Sequence, residues 1–200
     1  MDSTGYDIVL FLHIGFVIVF FSIITVLHFA SNGLVSAKSL AVFEAWQKLL
    51  RRLSPLSGIA VLVVLVLGFA LLGMNRNKDQ FSYGSSWVVV SIVALVVLEG
   101  LAGMILTPWG RAIRDGLAAA TTQAGSDAGA VPSDLRALAL QPKIWIVSFV
   151  ITWGFLGVVF LMVVKPNWLW SVLTLVVAIV LGVAEGQWLL GRARTAAVSA

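Results

Sequence analysis

Long uninterrupted apolar runs dominate the pattern of this chain. Five of them stand out: Tyr6 to Ala30, Pro55 to Gly73, Ser85 to Thr107, Ile144 to Val164 and Trp168 to Leu190. A run of roughly 18 or more apolar residues is what a helix needs to cross a bilayer, and at ~1.5 Å per residue each of these reaches across the ~30 Å hydrocarbon core. Stretches such as Val61 to Leu67 and Val88 to Val97 are β-branched, which in water favours strands. Hydrocarbon, however, forces every backbone group to bond within its own segment. The alternating pattern of a membrane barrel is absent. The expected fold is all-α: a polytopic membrane helical bundle of five transmembrane helices, a single domain over residues 1–200.

The connections differ in character. Between Leu34 and Arg52, Val35, Leu40, Phe43, Trp46, Leu49, Leu50 and Leu53 recur at helical spacing among Lys38, Glu44, Lys48 and Arg51, which predicts a basic amphipathic helix along the cytoplasmic surface. The segment 111–143 is expected as a mobile cytoplasmic loop because its centre, Ala118 to Ser133, holds nothing large enough to make a core. A short helix from Ser133, capped by Ser133 or Asp134, is compatible with it. The second and fourth connections are short, so spans two and three, and four and five, are expected as antiparallel hairpins. Glu99-Gly100 and Glu185-Gly186 form a faint internal echo between the two hairpins.

Charge sets the expected orientation. Of the 13 Lys and Arg, ten fall on connections of one side and three on the other, which by the positive-inside bias puts the N-terminus outside and the C-terminus in the cytoplasm. Tyr6, Trp87, Trp109, Trp145, Trp168, Trp170 and Trp188 lie near span ends, where amphipathic rings favour the interface. The net charge of +4 therefore reflects topology, and its scatter over several loops argues against nucleic acid as a partner. The N-terminal segment has no basic region or small-residue cleavage site, so the first span is expected to be retained as an anchor. Cysteine is absent, which excludes disulfides, thiolate metal sites and covalent haem attachment.

Ionisable groups inside hydrocarbon are costly and are functional candidates by default. Four occur here: His13, His28, Glu99 and Glu185. The two histidines are 15 residues apart on one helix, hence ~22 Å apart along it and ~60° around it, so both can face one seam with Val17, Phe20 and Ile24. Neutral imidazole is a good axial haem ligand, and a His/Met pair would combine His13 with Met162 or His28 with Met104. Hydrogen bonding to a backbone carbonyl or a serine is the plainer role for each. Glu99 either relays protons or joins helices, and Glu185 is within reach of Arg192 or Arg111. Gly182 and Gly186, Gly154 and Gly157, and Gly100 and Gly103 are small-residue pairs that let helices approach closely, within the chain or in a homo- or hetero-oligomer.

Three local patterns carry a family resemblance: Leu12-His13 in the first span, Lys48-Leu-Leu-Arg51-Arg52-Leu-Ser-Pro55 leading into the second, and Leu161-Met162-Val-Val-Lys165-Pro166 ending the fourth. With them the chain, from the first helix to Trp168, resembles a family of predicted bacterial integral membrane proteins of uncharacterised activity. That family is similar in layout to the CopD copper-resistance proteins and the HemJ protoporphyrinogen oxidases. The resemblance implies the bacterial cytoplasmic (inner) membrane, with haem b as cofactor. His13 would be the haem ligand and Lys165 a contact to a propionate or substrate carboxylate. The Trp-Met-Ala-Gly pattern after the HemJ histidine is replaced here by Val17 to Phe21.

Three functions follow as alternatives. One is a small accessory or structural inner-membrane protein without catalysis. Another is a haem-b redox protein, and the third a permeation protein for a small solute, proton or metal ion along Glu99 and His13. No nucleotide, metalloprotease or serine-hydrolase motif is present.

Overall fold

The computed structural model describes residues 3–74, 82–124 and 129–198, and among these the secondary structure is helical throughout. In chain order the helices are α1 (Ser3–Ser36), α2 (Leu40–Met74), α3 (Ser86–Leu101), α4 (Thr107–Ala124), α5 (Ser133–Ala139), α6 (Pro142–Val164) and α7 (Trp168–Val198). A five-residue π-helical turn, Ala102–Leu106, joins α3 to α4 without a break. The five expected spans fall on α1, α2, α3 with its π-helical continuation, α6 and α7, each long and apolar enough to cross a membrane. The protein is thus a polytopic helical membrane protein. Its outward side chains, among them Phe11, Ile18, Phe29, Leu62, Val96, Leu169 and Val180, are exposed apolar groups suited to lipid.

The helices are longer than a bilayer requires. α1 has 34 residues and α2 has 35, about 50 Å each at 1.5 Å per residue, against a hydrocarbon core of ~30 Å. The surplus lies at the end where α1 finishes, α2 begins and Lys48, Arg51 and Arg52 cluster; this is called the basic end below. It has a core of its own. Leu34, Val35, Leu40 and Phe43 pack there against Ile113 and Leu117 of α4, Leu135 and Ala139 of α5, Trp145 and Phe149 of α6, and Leu190 of α7.

Two expectations are corrected by this second core. Leu34 to Arg52 is not a separate surface helix: the chain turns at residues 37–39, and α2 then runs on through Pro55 into the membrane span. Its apolar face meets α4 and α5 rather than lipid, a distinction that periodicity alone does not encode. The stretch expected as loop 111–143 is helical to Ala124, because Ile113, Leu117 and Ala120 form a buried stripe at three- to four-residue spacing. Residues 125–128 of that loop lie outside the described segments. The short helix from Ser133 is present, but its N-cap is Pro132, and Ser133 Oγ donates to Asp134 Oδ1 (3.1 Å) instead of capping.

Specific hydrogen bonds hold the basic end together. Arg136 on α5 donates through Nη1 to the Val35 carbonyl and through Nη2 to the Ala37 carbonyl, both at 3.0 Å, satisfying acceptors at the C-terminus of α1. The indoles of Trp109 and Trp145 donate to the carbonyls of Leu138 (2.9 Å) and Ala139 (3.0 Å) at the end of α5. These two rings therefore serve the protein interior at their polar edge.

The hairpin pairing also departs from expectation. α6 and α7 pack closely, with Gly182 and Gly186 against the α6 backbone at Val150 and Ile146. α2 and α3 hardly touch at the backbone, and the second close pair is α1 with α2, where Gly33 makes room for the Trp46 ring. Tyr83, just before α3, ties the far end to α2 through a 3.2 Å hydrogen bond to the Phe69 carbonyl. The space left between α2 and α3 holds the cavities described next.

Candidate functional site

A cavity lies toward each end of the bundle, and the two share no lining residue. Between them lies an apolar layer of Phe20, Val61, Leu98, Phe155 and Val158, with the Phe20 and Phe155 rings 4.4 Å apart.

The smaller cavity, about 170 Å³, lies toward the end away from the basic cluster and brings together His13, Met162 and Lys165 from α1 and the α6–α7 junction. His13 is 8 % exposed, and Gly68 on α2, where a Cβ would come within 3.4 Å of the ring, lets the imidazole lie against the Val64 backbone. Its Nδ1 has no hydrogen-bond partner among the described residues, and neither has Ser91 Oγ, 2 % exposed, which lines the same space. A cofactor-sized ligand takes a cavity of ~300–1,000 Å³, so the space beside His13 does not accommodate a haem macrocycle. The Lys165-Pro166-Asn167 segment has a plain structural role. Lys165 ends α6 in the left-handed conformation (φ 53°), Asn167 Oδ1 accepts from the Trp170 N–H (3.2 Å), and Ser86 Oγ donates to the Pro166 carbonyl (2.7 Å). The Lys165 ammonium lies 5.7 Å from the Trp87 ring centre.

The larger cavity, about 550 Å³, opens at the basic end between α1, α2, the α3–α4 rod and α6. It runs from Phe20 to Ser31 along α1 and from Glu99 to Arg114 along α3 and α4, which corresponds to a length of roughly 16–22 Å. Phe20, Phe149 and Phe155 give it an apolar body; His28, Thr152 and Glu99 form a polar layer in its interior; Gln47, Arg51, Arg111 and Arg114 stand at its mouth. Glu99 is half-buried and makes no hydrogen bond or ion pair among the described residues. The π-helical turn follows one residue after Gly100, and neither Gly100 nor Gly103 has anything within 4 Å of a Cβ placed on it. The expected packing patch on α3 is therefore open space. The π-helical turn lies between Glu99 and the cavity-lining residues Trp109, Arg111 and Arg114, and such turns are frequent at functional sites.

The remaining sites sort differently. His28 is held within the bundle: its Nε2 is 2.9 Å from Thr152 Oγ1 and its ring stacks on Phe149, centroids 4.3 Å apart. Met104 is 71 % exposed and does not line the cavity that His28 lines. Glu185 accepts a short hydrogen bond from the Trp153 indole and lies near enough to His28 to interact electrostatically. Neither arginine expected to reach Glu185 does so: Arg192 lies over the Trp188 ring, 4.9 Å from its centre, and Arg111 is at the cavity mouth. The Glu-Gly echo thus has unlike surroundings in its two copies. Gln47 and Ser91 were not singled out by sequence, although each is a polar residue on a face otherwise buried, the one signal that marks them.

No family model, curated protein or solved structure matches this chain. What it does is read from these cavities.

Proposed function

We propose that the protein is an accessory membrane protein whose task is to hold an elongated amphiphile in the larger cavity. The observation that carries this reading is the cavity itself. Its 550 Å³ lies in the range of small-molecule sites, and it combines an apolar body with polar groups at two depths. The ten-to-three split of Lys and Arg supports a cytoplasmic location for its mouth, and the family resemblance supports a bacterial inner membrane. Gly58 gives the means of testing it, because it lines the cavity and a Cβ there meets nothing within 4 Å. Gly58→Phe adds a bulky ring to the cavity wall at a position where the first added carbon meets no neighbour. Native mass spectrometry of detergent-purified protein is expected to show retained amphiphile in the wild type and its loss in Gly58→Phe. Equal retention by both removes the cavity as the site.

A second reading, permeation, is favoured by the small cavity at the other end, where His13 Nδ1 and Ser91 Oγ lack partners among the described residues. It requires the apolar layer at Phe20 and Phe155 to open. Solute or proton flux into proteoliposomes that falls in both Glu99→Gln and His13→Ala supports it, and flux unchanged in both excludes it.

A further inference from the structure

We infer that the mouth of the larger cavity is a binding site for the phosphate of an anionic phospholipid, whose acyl chain enters the gap between α2 and α3. This rests on the amphiphile reading and gives it a ligand class.

Gln47 is the first observation. It lies one turn beyond Phe43 on the face of α2 that faces the basic-end core, and it is 7 % exposed. Its carboxamide lines the cavity and makes no hydrogen bond among the described residues. The carboxamide is open to the cavity and is placed to donate to a ligand acceptor there. The second observation is charge. Arg51 stands one turn along α2 from Gln47, and Arg111 and Arg114 line the same cavity from α4. Arg114 is shared with its neighbour Asp115 at 3.1 Å, whereas Arg51 and Arg111 have no carboxylate in ion-pair range among the described residues. The cavity's own carboxyl, Glu99, is 12 residues from Arg111 along the α3–α4 rod, ~18 Å away. The mouth therefore carries two arginines with no carboxylate partner among the described residues, and an amide donor beside them. Guanidinium groups that line one cavity from two helices suit an oxyanion that offers several oxygens, and basic pockets between membrane helices take lipid headgroups.

The lateral gap selects a lipid over a free anion. α2 and α3 hardly touch, and the cavity is lined on one side by Ser54, Ser57 and Gly58 and on the other by Ala102 and Gly103. A chain attached to a phosphate at Arg51 and Arg111 thus has a path into the bilayer.

The test uses the full chain in zwitterionic detergent, with phosphatidylglycerol, phosphatidylcholine or inorganic phosphate added, and native mass spectrometry as readout. Phosphatidylglycerol is expected to be retained about tenfold or more over phosphatidylcholine. The double variant Arg51→Gln/Arg111→Gln is expected to remove that preference, Gln47→Leu to weaken it severalfold, and Gly58→Phe to lose both lipids. Arg51→Lys/Arg111→Lys, which keeps charge but not the planar fork, is expected to retain part of it. Equal retention of the two lipids by wild type, or a preference untouched by the double glutamine variant, overturns the headgroup site. If Gly58→Phe still loses both, the amphiphile reading stands. Displacement of lipid by millimolar inorganic phosphate identifies a free-anion site and overturns the lipid assignment. No retention of either lipid, with Gly58→Phe indistinguishable from wild type, overturns both readings.

Discussion

Replacing single glycines by alanine tests the helix packing most directly, because the structure assigns very different surroundings to glycines that look alike in sequence. At Gly182 a Cβ would stand 2.6 Å from the Val150 Cα and 2.8 Å from the Phe149 carbonyl oxygen. Ordinary contact begins near 3.4 Å, so α7 must move from α6 by about 0.8 Å, and the opposing atoms are backbone that has no rotamer to escape into. A radial gap of ~0.5–1 Å forfeits a quarter to a half of each dispersion contact along the seam, and overpacking of this kind costs ~1–3 kcal/mol. At Gly186 the closest approach is 2.9 Å, to the Ile146 Cα, and the expected cost falls in the lower half of that range. At Gly100 nothing lies within 4 Å, leaving only the ~0.5–1 kcal/mol that alanine gains over glycine within a helix. Unfolding in mixed micelles by a graded addition of sodium dodecyl sulfate, followed by tryptophan fluorescence, is expected to rank Gly182→Ala below Gly186→Ala, with Gly100→Ala at or above wild type. A Gly100→Ala variant as unstable as Gly182→Ala would refute the packing described here.

Arg136→Met removes both donors to the Val35 and Ala37 carbonyls and is expected to cost about 1.5–3 kcal/mol, with faster amide exchange at the α1–α2 turn; unchanged exchange there counts against the capping role. Trp153→Phe deprives Glu185 of its indole donor and is expected to destabilise by about 1–3 kcal/mol, while Glu185→Gln, which keeps an acceptor oxygen, should lose less in the same unfolding assay. Reporter fusions at Asp2 and Asp79 are expected to read outside, and those at Ala128 and Ala200 inside; an inverted reading at Ala128 removes the cytoplasmic placement of the lipid site.

The sequence by itself determined the number of membrane helices and their approximate limits. Hydrocarbon forbids unpaired backbone groups, so a long apolar run has one outcome whatever surrounds it. It also marked the intramembrane ionisable residues, since a polar letter in an apolar run is visible without any partner. What each of them meets was decided by tertiary packing alone. His28 lies against Thr152, 124 positions away, and Glu185 against Trp153, while Glu99 faces a void that exists because α2 and α3 stand apart. Apolar periodicity states that a face is buried and is silent on its cover, which is why Leu34 to Arg52 reads as a lipid-surface helix but packs on α4 and α5. The same degeneracy separates the glycine pairs: a missing side chain lets another helix approach, and whether one does depends on the seam, which closes at Gly182 and stays open at Gly103.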